Sequence, residues 1–175
     1  MIFQLKNKNR NNKPAFTLIE IITVLLVISL GMIGTLSLIS QNIRSQSINE
    51  KTMVAYQLAQ EGVELVRNLR DTNWNYNNDW RTGMETDGLY IMDYSDVLPT
   101  KLATQSQGDL FLDVNGMYRH NLLNVPKSGF NRVIAIDAAP AEEVMKYITV
   151  TTNVSWEDHG KPYVYSLEAQ LYDWR

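Results

Sequence analysis

Between Ile21 and Ile39 the chain has no charged side chain, and its only polar ones are Thr23, Ser29, Thr35 and Ser37. Nothing else in the 175 residues restricts the fold as strongly. As a helix rising about 1.5 Å per residue, Phe16 to Ile39 extends roughly 36 Å. That crosses a hydrocarbon layer of about 30 Å with some tilt to spare. One residue breaks the pattern: Glu20 sets a carboxylate near the start of the span, where an acid is costly unless something answers it.

Charge fixes an orientation. Lys6, Lys8, Arg10 and Lys13 stand in the first fifteen residues without an acid. Of the sixteen basic side chains, the other twelve face nineteen acids, so the rest of the chain is strongly anionic although the whole carries only −3. The positive end stays in the cytoplasm and the bulk of the chain lies outside. An acidic exterior argues against a nucleic-acid groove, which needs a basic stripe. There is no cysteine, so the exported part must hold together by packing alone.

Three readings of the amino end compete. A secretory signal has an apolar region of about 7–15 residues followed by a small-x-small cleavage site. Here the run is longer, and Ser40-Gln41-Asn42-Ile43 makes a poor site. A plain uncleaved anchor explains length and charge but not Glu20. A cut before the span, between Ala15 and Phe16, would leave the helix in the mature protein.

On Lys13-Pro14-Ala15-Phe16-Thr17-Leu18-Ile19-Glu20 and the apolar helix behind it, the chain resembles the prepilin class, comprising type IV pilins and the pseudopilins of type II secretion. The resemblance implies that prepilin peptidase, a membrane aspartic protease, removes residues 1–15 as a basic leader and that Phe16 is then N-methylated. It implies that Glu20, fifth in the mature chain and flanked by Thr17, Leu18 and Ile19, meets the Phe16 amino group of a neighbouring subunit. Ala15 departs from the glycine usual before the cut, which bears on cleavage efficiency. Further partners so implied are other pilin or pseudopilin subunits and the inner-membrane assembly platform with its ATPase. The final location would be a filament at the cell surface. The family helix also loses order in assembled filaments, in about the region of Gly31 and Gly34, each of which weakens a helix by up to about 1 kcal/mol relative to alanine.

Glu20 has a simpler role beside that one. Thr17-x-x-Glu20 is a capping box, in which hydroxyl and carboxylate satisfy first-turn N–H groups. A cap contributes about 1 kcal/mol. A mid-bilayer acid costs about 2.5–3.5 kcal/mol on insertion scales, less near the interface. The resemblance supplies a partner from outside the subunit, and that reading is favoured over capping alone.

Beyond Ser40 the helix becomes polar, then apolar residues return at helical spacing: Ile48, Ala55, Leu58, Ala59, Gly62, Leu65, Val66 and Leu69. Such a stripe lies against an apolar surface. Gln57, Glu61, Glu64, Asn68 and Asp71 lie on the opposite face, where Glu64 with Arg67 and Asn68 reads as solvated, and Asn73 is a plausible stop. Residues 71–109 read as a variable connection. Its Trp74, Tyr76 and Trp80 form either a lid over the helix–sheet seam or a carbohydrate or partner surface; the lid is favoured. From Leu110 the period becomes two. Asn115-Gly116 marks a hairpin, Asn131–Asp137 a strand, Lys146–Trp156 an alternating strand, Glu157–Gly160 a turn, and Pro162–Trp174 the last strand. The expected fold is α+β and pilin-like: leader 1–15, membrane and assembly helix 16–39, amphipathic continuation 40–70, connection 71–109, and an antiparallel meander over 110–175.

Sites for chemistry are sparse. His120 and His159 stand without cysteine or HExxH spacing, so no zinc site is expected. Asp109, Asp113 and Asn115 crowd one hairpin, but without EF-hand spacing, and turn chemistry alone favours them there. No catalytic residue, cofactor or metal is expected. The expected function is that of a structural subunit of a type IV pilus or pseudopilus. The alternatives are a minor tip pilin with an adhesive loop and an unpolymerised, membrane-anchored extracellular binding domain.

Overall fold

The computed structural model describes residues 16–138 and 147–173. It is an α+β protein with one long helix, α1 (Leu18–Asn75), and seven antiparallel strands. The chain forms two compact units, Met1–Gln46 and Ser47–Arg175.

No proline interrupts α1. It ends later than the expected Asn73, because Asn77 takes the left-handed conformation (φ 55°). Asn78 N–H donates to Asn73 O and Asn77 N–H to Trp74 O, which is the Schellman closure with asparagine in the usual glycine place. Asn73 is instead a buried brace, its amide donating to Trp80 O (3.2 Å) and Thr82 O (2.9 Å).

In the second unit the strands are β1 (Gly88–Ile91), β2 (Thr100–Leu102), β3 (Asp109–Leu112), β4 (Tyr118–Arg119), β5 (Lys127–Ala138), β6 (Tyr147–Asp158) and β7 (Lys161–Tyr172). The expected simple meander is corrected here. Only β5–β6–β7 run as one; β5 is central, with β6 along one edge. Its other edge is shared by β1, opposite Ile134–Ile136, and β3, opposite Lys127–Asn131. The stretch read as a connection therefore supplies two strands, β1 and β2, and a 3-10 turn (Gln105–Gly108). The Asn115-Gly116 hairpin forms as expected between β3 and β4, with Gly116 at φ 79°.

Alternation along β6 turns Ile148, Val150, Thr152, Val154 and Trp156 to the helix. The helix meets them with Ala55, Leu58, Ala59, Gly62, Val63, Val66 and Leu69. Burial divides into two apolar clusters. One gathers Val66, Leu69, Met84, Ile134, Ile136 and Val150 with their neighbours; the other gathers Ala55, Leu58, Ala59, Phe130, Val154 and Trp156. Between them, on helix and sheet alike, stand Glu61, Gly62, Arg132 and Thr152. Gly62 is required there: a Cβ would meet Thr152 Cγ2 at 2.6 Å. Of the aromatics read as a lid, Trp74 lies in the last turn of α1, buried under the Arg70 guanidinium (4.6 Å), Trp80 packs on the first cluster, and Tyr76 is exposed. Of the three, Trp80 thus packs from the connection onto the core.

Candidate functional site

In the first unit every large apolar side chain from Phe16 to Ile39 is 51–77 % exposed. This is the one candidate membrane span among the described residues, with a mean hydropathy of 2.4 over its best window. Exposure on this scale, at roughly 25 cal/mol per Å², demands burial in lipid or protein.

The polar groups along this helix are mostly satisfied internally. Thr23 Oγ1 donates to Glu20 O (2.9 Å), Ser29 Oγ to Leu25 O (2.5 Å), Thr35 Oγ1 to Met32 O (2.9 Å) and Ser40 Oγ to Leu36 O (3.0 Å). Back-bonded hydroxyls present little polarity outward. At the start, Thr17 Oγ1 accepts from Glu20 N–H at 3.3 Å, which is half of the capping box. The other half does not form: among the described residues no donor reaches the Glu20 carboxylate. It is exposed, and lines an open groove of about 260 Å³ with Phe16, Ile21, Val24 and Leu25. Glu20 is thus the one charged group on an apolar helix face, and its carboxylate is not spent on its own cap.

Phe16 is exposed at the head of this segment, and Leu18 and Ile19 follow it with their side chains outward. Ala15 and the rest of residues 1–15, expected to be a basic leader, lie outside the described residues. Gly31 and Gly34 sit within continuous α1, with nothing within 4 Å of an added Cβ at either.

The second unit holds a polar cluster that the sequence reading missed. Arg132 on β5 is wholly buried. Its Nη2 donates to Met92 O (2.9 Å) and lies 3.4 Å from Asp93 Oδ1. Its Nη1 lies 3.0 Å from Glu61 Oε2, at an angle that makes the contact Coulombic rather than a hydrogen bond. Asp93 accepts from His120 N–H (2.8 Å) and contacts His120 Nδ1 (2.6 Å), while His120 Nε2 stands 3.2 Å from Arg132 O. Burial works to raise the Asp93 carboxyl, but the His120 contacts and the Arg132 charge prevail and hold it below its ordinary value. Glu61, placed from sequence on the face opposite the apolar stripe, is corrected to the partner of this arginine. One signal was present: in the alternation Phe130, Arg132, Ile134, Ile136 an arginine occupies an inward position.

The other candidates have ordinary uses. Asp113 Oδ1 accepts from Asn115 N–H (2.8 Å) and Met117 N–H (2.9 Å), closing the hairpin. Asp109 is paired with Lys127 and held by Asn131 (3.2 Å). Asp158, at the β6–β7 turn, is bonded by Lys51 (2.5 Å) and contacted by His159 Nδ1 (2.8 Å). No group of three or more potential metal ligands occurs among the described residues.

No protein-family model, curated protein or solved structure matches this chain. What the fold defines is a class: an α+β protein whose long amino-terminal helix carries an exposed apolar half and packs its later turns on an antiparallel sheet. That arrangement is compatible with pilin-like architecture.

Proposed function

We propose that this chain is a structural subunit, not a catalyst, of a type IV pilus or secretion pseudopilus. The leader is removed between Ala15 and Phe16, Phe16 is N-methylated, and the protein waits as a single-pass membrane protein with its folded unit outside. An ATPase-driven platform then draws it into a filament in which the apolar helices bundle. The observation that carries this reading is the Glu20 carboxylate: exposed, without a donor among the described residues, and alone on a charge-free helix whose hydroxyls are largely turned inward. A cation from outside the subunit answers it at least cost, and the freed amine of Phe16 on a neighbour is such a cation.

Two measurements test this. Mass spectrometry of the mature protein should find a chain beginning at N-methyl-Phe16; a chain still beginning at Met1 defeats the proposal. Glu20→Ala should be processed normally yet fail to polymerise, and filaments at wild-type yield would remove the pairing.

The second reading, an unpolymerised anchored binding domain, draws on the Thr17 cap, which forms without any partner. It predicts that Thr17→Ala weakens the helix start while Glu20→Ala changes nothing beyond the anchor.

A further inference from the structure

The β7 edge carries a separate inference, independent of how the amino end is processed. Among the described residues β7 pairs with β6 alone, along all twelve of its positions, leaving its other edge open. The turn joining the strands has two residues, His159 and Gly160, at φ 51° and 73°, so Asp158 and Lys161 close it as a hydrogen-bonded pair. It follows that odd-numbered residues of β7 turn their backbone groups to β6, and that Pro162, Val164, Ser166, Glu168, Gln170 and Tyr172 turn theirs outward. Pro162, which has no N–H, fits an outward position. The same six side chains are exposed; of the odd-numbered ones only Lys161, beside the turn, is exposed as well.

Proteins guard open edges with bulges, short strands, prolines or charges, and Lys161 and Pro162 guard the turn end of this one. From Tyr163 to Tyr172 β7 has no bulge and no proline: its ladder with β6 is unbroken, and its single charge is Glu168. We infer that this edge pairs, antiparallel and two-fold, with β7 of a second copy of the chain.

Self-pairing leaves few registers. Outward residues must face outward residues, so the strands slide in steps of two. One register sets Glu168 against Glu168 of the other copy, which like charges disfavour. A shift the other way sets Ser166 on Ser166 and strands Tyr172 without a partner. The register between them opposes all six residues: Ser166 to Glu168, Val164 to Gln170, Pro162 to Tyr172. It has no like-charge pair, and it extends the sheet across the two copies. A two-fold contact closes on itself, so it is not the repeat contact of a helical polymer. It joins two filaments side by side, or two free subunits.

The chain has no cysteine, which makes the test clean. Full-length Val164→Cys and Gln170→Cys proteins, which keep Glu168, are mixed in detergent micelles and oxidised. The mixed disulfide should exceed either homodisulfide severalfold, because directly opposite positions lie closer than offset ones. Glu168→Pro, which removes an N–H that the β6 ladder does not use, should abolish the cross-link between Val164→Cys and Gln170→Cys when present in both chains, and Glu168→Asp, which keeps the charge, should preserve it. Amide exchange in the unmodified protein should show Ser166 and Gln170 protected, with protection lost on dilution. Equal yields of the three disulfides, yields no greater than from Glu85→Cys in an exposed loop, or fast exchange at Ser166 and Gln170 at every concentration would each overturn the inference.

Discussion

Arg132 Nη1 lies 3.0 Å from Glu61 Oε2, so a strand residue with no solvent exposure is tied to a helix residue that keeps 37 % of its own. The asymmetry sets the energetics. Asp93, on the other side of the guanidinium, is almost as buried as Arg132 itself.

Arg132→Ala should therefore destabilise the fold by about 3–5 kcal/mol, since it leaves Asp93 buried beside a lost cation and opens a cavity. Glu61→Gln should cost no more than about 1 kcal/mol, because water screens that carboxylate. Urea unfolding with unchanged m-values decides this. Equal losses would mean that the ion pair, not the burial of Arg132, carries the effect.

Gly62→Ala ought to raise helix propensity by up to about 1 kcal/mol in isolation. Here the new methyl meets Thr152 Cγ2 at 2.6 Å and Oγ1 at 2.8 Å. The expected net effect is destabilisation of about 1–3 kcal/mol from overpacking. Thr152→Ala in the same chain should recover much of it, and a double-mutant cycle reads the coupling. Simple additivity would show that the close approach is relaxed at no cost.

The hydrogen bonds of Lys51 and His159 to Asp158 outweigh its burial and pull its carboxyl down from 3.8 to about 2. A depressed carboxylate stabilises the fold above its unfolded value, and that contribution is lost as pH falls through the folded one. Stability should drop between about pH 4 and pH 2, with Asp93 adding to the slope. Asp158→Asn should flatten the profile in that window while lowering stability at pH 7. An unchanged acid limb would show that Asp158 is not linked to folding.

Gly31→Ala and Gly34→Ala each add a methyl that meets nothing within 4 Å. Each should strengthen α1 locally by about 1 kcal/mol, seen as slower amide exchange in micelles. If polymerisation requires the helix to loosen there, the double variant should be processed normally and assemble poorly. Wild-type assembly would set that requirement aside.

Much of this was legible beforehand because its causes are local. A charge-free run long enough for a bilayer needs no tertiary information. Nor does an apolar stripe at 3.6 spacing through Ala55, Leu58, Ala59, Gly62 and Val66, or the alternation of Ile148 to Trp156. The Asn115-Gly116 hairpin was equally plain, since its residues choose their turn by their own backbone preferences. Helix termination shows the limit. Asn73 and Asn77 are the same residue type four positions apart, and what separates them is that Trp80 O and Thr82 O wait beside the first.

By itself, then, the sequence determined the apolar span, its one carboxylate, the helix face and the long strands, all of which follow from periodicity within a few turns of chain. Tertiary structure alone decided that β1 and β3 share one edge of β5 and that, among the described residues, β7 pairs with β6 alone. It also decided that Asp93 meets His120 and Arg132 across 27 and 39 residues. Pairing partners and buried charges depend on which distant groups arrive at the same place, and no local pattern encodes that arrival.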